Sequence, residues 1–122
     1  MLIFFLDRRF FMDIYFKTKK LQKICSTKRE AVKELGQKGS KKLMQRLSEL
    51  SAAIALSDIS YLPPPRLHEL SGNRKGQFSV DLNHPYRLLF IPANGPTPMR
   101  DDGGVDKEKI DQIEITEIED TH

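Results

Sequence analysis

The sequence predicts an α+β domain of two layers, in which an antiparallel sheet is covered on one face by helices. Three observations support this class. A short run of β-forming residues stands near the start, helical periodicity follows as far as Pro63-Pro64-Pro65, and the remainder alternates between apolar runs and hairpin-length turns. Turns of that length join neighbouring strands antiparallel, so the second half is expected to form a four-strand meander that completes the sheet. A chain of 122 residues is the size of one domain.

The first elements are expected to be a strand and a short helix. Residues 12–17, MDIYFK, are rich in β-formers and predict an N-terminal strand. Residues 18–25, TKKLQKIC, predict a short helix with Leu21, Ile24 and Cys25 on one face. Cys25 is therefore expected to be a core residue. As it is the chain's one cysteine, no disulfide can form within the chain, which fits a reducing cytoplasm.

Two further helical segments are expected before the prolines. Thr27 and Glu30 have the spacing of a capping box, which predicts a helix to about residue 35. Gly36 and the glycine three residues later are expected to break or bend that helix. Ser40 then caps a helix over residues 41–56, whose leucines follow a helical period and belong in the core.

Four strands are predicted after the prolines. Residues 66–70 form a short strand, and a turn with two glycines leads to residues 77–82, where apolar and polar residues alternate. Residues 86–92 are almost continuously apolar, which predicts a central strand. Residues 93–109 are a polar loop, expected to be mobile, and residues 110–118 alternate again.

The charge is distributed unevenly along the chain. Residues 1–100 hold 18 Lys and Arg against 8 Asp and Glu, whereas residues 101–122 hold 2 against 9. A basic body with an acidic end indicates a polyanion such as nucleic acid, or an acidic protein partner. The alternative is an ordinary solvated basic surface. Lysines along the predicted helices, together with Arg46, form one such basic face.

Residues 1–11, MLIFFLDRRFF, precede the predicted domain. The apolar run is too short for a membrane helix or a signal sequence. We interpret it as an N-terminal extension or a mis-called start, with Met12 as the alternative start and residues 12–122 as the single domain. An extra apolar strand or an oligomer contact is the other interpretation.

Cations concentrate in residues 66–78, RLHELSGNRKGQF, where Glu69 is the one acid. This bias predicts an anion site in a turn-rich segment. Arg87 is the strongest functional residue on physical grounds, because it lies in the apolar segment YRLLF and an isolated guanidinium there is costly unless it is paired or faces a groove. A structural salt bridge, perhaps to Asp120, is the alternative.

The segment RLHELSGNRKGQFSVDLNHPYRLLFIPA and the terminal IEITEIEDTH resemble the RelE/ParE toxin superfamily, and within it the HigB-like plasmid maintenance killer toxins. The resemblance covers about residues 12–122 and is most specific from Leu67 onward. It implies a RelE-like fold and a ribosome-dependent mRNA endonuclease without metal or other cofactor, in which the RNA 2′-OH attacks the adjacent phosphate. The implied partners are the ribosome, mRNA and a HigA-like helix-turn-helix antitoxin, through which operator DNA is bound indirectly. No membrane partner is expected.

The resemblance also assigns roles to residues of this chain. It implies the catalytic residues His68, Lys75, Arg87, Asp120 and His122, and the substrate-binding residues Arg66, Arg74 and Thr121. A histidine can transfer protons near neutral pH, and cations can stabilise charge that develops on a phosphate. The family tail reads D-Y-H, so Thr121 departs from it by replacing the usual tyrosine.

Each assignment has a plainer alternative. His68 is otherwise a hydrogen-bonded strand residue, Arg74 and Lys75 belong to a solvated turn, and His122 is a frayed chain end. Two other functions remain open for the whole protein. One is a ParE-type gyrase poison without RNA chemistry, and the other is a degenerate relative that only binds its antitoxin, for which Thr121 is the best support.

Overall fold

The computed structural model describes residues 11–121 and confirms the mixed α+β class. Within this range two α-helices and five strands follow one another in the predicted order, strand first, then helices, then four strands. Three short 3-10 turns lie at Leu56–Asp58, Gly72–Arg74 and Lys107–Lys109. The helices and strands are β1 (Asp13–Phe16), α1 (Lys19–Ser26), α2 (Lys28–Ala52), β2 (His68–Glu69), β3 (Phe78–Asp81), β4 (Tyr86–Pro92) and β5 (Gln112–Asp120).

The strands form one sheet in the order β1-β5-β4-β3-β2. The last four strands are antiparallel neighbours, which confirms the meander, and β1 pairs with β5 in parallel. β4 occupies the middle of the sheet, as its apolar sequence predicted. The register shifts between Leu89 and Phe90, where β5 carries an extra residue and forms a β-bulge.

The helices cover one face of the sheet, and the core lies between the two layers. The predicted alternation of side chains between the two faces is found in β3, where Phe78 and Val80 are buried in this core. Cys25 is fully buried as predicted, and burial raises the pKa of its thiol to about 12, so it is not an activated nucleophile. Other buried members are Ile14, Ile24, Leu43, Leu47, Leu50, Leu88, Phe90, Ile113 and Ile115.

The helix boundaries differ from the sequence predictions. The capping box is wrong, because within residues 11–121 the Thr27 side chain caps no amide. Thr27 instead lies between the two helices, where its amide donates to the Lys23 carbonyl and α1 ends. The α1 N-cap is Thr18, whose hydroxyl accepts from the Leu21 amide at 3.1 Å. Ser40 is not a cap either, because α2 continues through it and ends at Ala52.

Gly36 interrupts the helix as expected, because α2 consists of two helical stretches that meet at a kink at this residue. Its φ of 78° and ψ of 176° are non-helical, and a positive φ is accessible to glycine without the strain that a Cβ atom would cause. Helical geometry resumes on the other side of this kink. The prediction of two helical segments separated at Gly36 is therefore confirmed, and both segments contact the core.

Arg46 is a structural residue and not part of an exposed basic face. It is 2% exposed, and its Nε donates to the Asp81 carbonyl at 2.7 Å. Its Nη1 forms a salt bridge with Glu49 at 3.2 Å. Arg46 thus ties α2 to the end of β3, and it fixes the position of the strand on which the candidate site is built.

None of the helices within residues 11–121 combines the length and apolar character needed to cross a membrane. The predicted N-terminal extension falls on residues 1–11, of which residues 1–10 lie outside the described residues.

Candidate functional site

The candidate site lies on the face of the sheet that the helices leave uncovered, called here the outer face. Since Val80 and Leu88 point into the core, their neighbours along each strand point to the outer face. The register pairs Asp81 of β3 with Arg87 of β4, and Arg87 with Glu119 of β5. Three charged side chains from three strands therefore lie side by side on this face.

The turn between β2 and β3 leans across the outer face. Arg74 lies in this turn, and its Nη2 reaches Glu119 Oε1 at 2.7 Å although β3 and β4 separate their strands. Three strand spacings amount to about 14 Å, which exceeds the reach of an arginine side chain, so the turn itself must approach β5. Ser79 and Leu89 are fully buried on this same face, which is consistent with a cover over the sheet.

Glu69 and two glycines shape this turn. The Glu69 carboxylate accepts from the Gly76 amide at 3.2 Å, so the one acid of residues 66–78 organises the backbone. Gly72 and Gly76 have φ values of 65° and 93°, a region that favours glycine. Lys75 stands between them, exposed, and it forms no salt bridge with any other residue in 11–121. The turn thus presents one unpaired ammonium group beside the outer face.

Glu119 sits between two arginines. Its Oε1 accepts from Arg74, and its Oε2 accepts from Arg87 Nε at 2.7 Å and also contacts Arg87 Nη2. Only 19% of the Arg87 side chain and 17% of the Glu119 side chain are exposed. The structure therefore resolves the partner of Arg87. It is Glu119, and the alternative partner considered from the sequence, Asp120, is wrong.

His68 borders the same face. It pairs with Ser79 in β3, two residues from Asp81, and its side chain is exposed. Two strand spacings and two residues along the strand place its Cα about 12 Å from that of Arg87. At this separation the side chains of His68 and Arg87, which lie on one face, can contact a common substrate from two sides.

A second ion pair and a cavity lie next to this group. Arg66 pairs bidentately with Asp81, at 2.7 Å and 3.0 Å. A cavity of about 280 Å³ is lined by both of these residues together with Arg87, His84 and Thr121. The structure thus places three of the sequence-assigned residues around one cavity.

The tail residues are divided between the two faces. The Thr121 hydroxyl donates to the Pro85 carbonyl at 2.7 Å, which fixes it at the β3–β4 turn. Asp120 lies opposite Tyr86 in the strand register. Because it is one residue from Glu119, it belongs to the opposite face, where Asp120 and Tyr86 line a cavity of about 500 Å³. His122 lies outside the described residues, so its assigned role stays a prediction.

Sequence reasoning missed the acids of the site, above all Glu119. A signal for it exists in β5, where Ile113 and Ile115 alternate but the next apolar residue is Ile118. A spacing of three positions instead of two between inward-facing isoleucines indicates a bulge, and the bulge sets which tail residue faces Arg87. Within residues 11–121, no group of three or more His, Cys, Asp or Glu side chains is arranged to hold a metal ion.

Glu119 is expected to make the fold less stable in acid. Partial burial by itself raises the pKa of this carboxyl, but hydrogen bonds from Arg74 and Arg87 outweigh burial and hold the pKa below its ordinary value of 4.5. As the pH falls, the Glu119 carboxyl is therefore protonated at a higher pH in the unfolded chain than in the folded protein. The stabilisation is present above about pH 4.5 and is lost as pH falls through the lower pKa of the folded state.

Urea unfolding at pH 7 and pH 3 measures this effect. The Glu119→Gln variant should lose less unfolding free energy between the two pH values than the wild type does. Glu117→Gln is the matched control, because Glu117 is an exposed acid two residues earlier on the same strand. An equal loss in the wild type and in Glu119→Gln would show that the two arginines do not favour the ionised carboxylate.

The comparisons with known proteins agree on one family. A family model described as the RelE-like toxin of type II toxin-antitoxin system HigB matches residues 14–97. Toxin HigB-1 of Vibrio cholerae serotype O1 (strain ATCC 39315 / El Tor Inaba N16961) is 42% identical over 53 residues. These residues are 43% of this chain and 56% of that toxin, so the similarity spans little more than half of its length. The family model includes His68, Lys75 and Arg87 but ends before β5 and the tail.

Proposed function

Because the chain belongs to the HigB-like family of RelE-like toxins of type II toxin–antitoxin systems, we propose that it is a metal-independent endoribonuclease that cleaves mRNA on translating ribosomes. Membership of this family agrees with the resemblance stated from the sequence. Inhibition of translation in the cytoplasm would then be the toxic effect, and residues 12–122 would be the toxin domain.

The observation that carries this proposal is the arrangement of cations on the outer face. Arg74 and Arg87 come from a turn and a central strand, yet their guanidinium groups meet on one carboxylate. Guanidinium groups that converge on a carboxylate suit a phosphate equally well, since both anions accept paired N–H donors. His68 and Lys75 border the same face and are exposed to a substrate.

The proposed mechanism uses these residues in three roles. Attack by a 2′-OH on the adjacent phosphate needs a proton acceptor, stabilisation of the charge on phosphorus, and a proton donor for the 5′-oxygen. We assign proton transfer to His68, with His122 oriented by Asp120 as the second group. Arg87 and Lys75 stabilise the phosphate charge, while Arg66, Arg74 and Thr121 hold the flanking RNA.

An antitoxin is the expected protein partner. A type II toxin is neutralised by protein binding, so we propose a HigA-like helix-turn-helix antitoxin that also links the complex to operator DNA. The lysines exposed on α2 provide a separate contact for ribosomal RNA phosphates, which would make ribosome binding fall with salt. These are Lys28, Lys33, Lys38 and Lys41.

Mapping of mRNA 5′ ends on translating ribosomes after induced expression tests the proposal. New cleavage ends in frame with the codons are expected, and they should vanish in Lys75→Ala/Arg87→Ala. A matched control is Arg100→Ala/Lys107→Ala, which removes the same charge from exposed residues of the polar loop. A chain that starts at Met12 should behave like the full chain if residues 1–11 are an extension.

The other outcomes identify the two competing functions. Growth arrest without new mRNA ends would overturn the nuclease assignment in favour of a gyrase poison, which inhibition of supercoiling would then show directly. Neither cleavage nor growth arrest, with antitoxin binding retained, would indicate a degenerate toxin that only binds its partner.

Replacement of Thr121 by tyrosine tests the departure from the family tail. Thr121→Tyr should raise the cleavage rate on programmed ribosomes or leave it unchanged, because tyrosine restores a ring for stacking on a base and keeps a hydroxyl. Single-turnover cleavage of a defined mRNA is the measurement. A large drop would show that the Thr121–Pro85 hydrogen bond defines a different tail geometry in this chain.

A further inference from the structure

Arg74 and Arg87 share an anion that belongs to the protein itself, the carboxylate of Glu119. Each oxygen of the Glu119 carboxylate accepts from a different arginine, both at 2.7 Å. Resting on the function proposed above, we propose that Glu119 is an internal competitor for the substrate phosphate. RNA binding then exchanges one anion for another at the same pair of guanidinium groups.

Burial distinguishes the Arg87–Glu119 contact from the neighbouring Arg66–Asp81 ion pair, while the Arg74 side chain is 37% exposed. The Arg87 and Glu119 side chains are 19% and 17% exposed, whereas those of Arg66 and Asp81 are 48% and 31% exposed. Charges that are partly withdrawn from water interact more strongly. The carboxylate charge of Glu119 therefore opposes the binding of a phosphate more strongly than that of Asp81 does.

The position of Arg87 explains why this side chain needs a carboxylate partner. Arg87 lies in a central strand next to buried Leu88, where an unpaired guanidinium would be costly. Glu119 supplies its counterion until a phosphate takes that role. Lys75 is exposed and forms no salt bridge with the other residues of 11–121, so it can meet the phosphate first.

Competition predicts a gain of affinity when the internal anion is removed. In Glu119→Gln the side chain keeps its size but loses its charge, so the arginines are released and no carboxylate repels the phosphate. Binding of inorganic phosphate, measured by calorimetry at pH 7, should become about tenfold tighter. An RNA oligonucleotide with 2′-deoxy sugars, which cannot be cleaved by 2′-OH attack, should show the same change.

The matched control separates this competition from general electrostatics. Glu117→Gln changes the net charge equally, on the same strand and the same face, but Glu117 pairs with Leu89 in the register. Its effect on phosphate affinity should stay within about twofold. Equal or weaker phosphate binding by folded Glu119→Gln would overturn the proposal, as would an equal gain in both variants.

A measurement on the wild-type protein covers the case in which Glu119→Gln does not fold. In an NMR titration with phosphate, the Nε–H resonances of Arg74 and Arg87 should move together with the Glu119 carboxyl carbon. If phosphate saturates the protein and these resonances do not move, the proposal is overturned. Neither experiment involves cleavage, so a failure of the nuclease assignment would appear only in the mapping of mRNA ends.

Discussion

Arg87→Ala is expected to abolish growth inhibition and to lower single-turnover mRNA cleavage by a factor of about 10² to 10³. Arg87 is held by Glu119 on the outer face at the centre of the sheet, and it is the one arginine of the site that belongs to a regular central strand. A cation fixed in this way can stabilise charge on the phosphate without first being ordered. The measurements are growth after induction and the rate of cleavage on programmed ribosomes.

The folded state of this variant must be shown separately. The loss of Arg87 leaves Glu119 with Arg74 as its partner, so we expect the chain to remain folded and to bind antitoxin. Circular dichroism and copurification with the antitoxin check this. Undiminished toxicity in folded Arg87→Ala would contradict the site assignment.

Two substitutions resolve what Arg87 contributes. Arg87→Lys keeps the charge but loses the paired N–H donors, so it should recover only a part of the rate. Arg100→Ala removes an exposed arginine of the polar loop, paired with Asp102, and should leave the rate unchanged. Full activity in Arg87→Lys would show that the charge alone matters and that bidentate recognition of the phosphate does not.

Sequence reasoning predicted those elements whose pattern is local. The bounds of β4 were predicted correctly because a continuous apolar run between a turn and a proline has few other interpretations. The inward-facing residues Phe78 and Val80 followed from alternation in the same way. The kink at Gly36 was expected because a glycine within a helical pattern allows a backbone that other residues avoid.

Features that depend on long-range contacts could not be predicted in this way. Arg46 has the helical position of a surface cation, and its burial follows from a contact with Asp81, 35 residues away. The partner of Arg87 depends on the register of β5. Without the bulge after Ile115, Arg87 would face Ile118 and no carboxylate, so one inserted residue decides the charge of the site.

The assignments made from the family tail depend most on this register. Glu119 and Asp120 are neighbours in sequence, but a strand places them on opposite faces, so only one of them can serve the outer face. The described structure gives that position to Glu119. In the proposed mechanism Asp120 therefore acts on the site only through His122, whereas Glu119 holds the arginines directly.

His68→Gln is expected to lower the cleavage rate by a factor of about 10² to 10⁴ with little change in RNA affinity. Glutamine keeps hydrogen-bonding groups but cannot exchange a proton near neutral pH, so proton transfer is lost while the phosphate contacts remain. His68 is exposed on the two-residue edge strand β2, and its replacement should hardly affect the unfolding free energy. Single-turnover rates and binding of the 2′-deoxy oligonucleotide separate the two effects.

The pH dependence of cleavage distinguishes proton transfer from a structural role. In the wild type, a group that transfers a proton in the reaction makes the cleavage rate depend on pH, and His68→Gln should lack that dependence. His84→Gln, which changes an exposed histidine in the β3–β4 turn, should keep that dependence. If His68→Gln retains both the rate and the pH profile, another group transfers the proton, and His68 is then a strand residue that only borders the site.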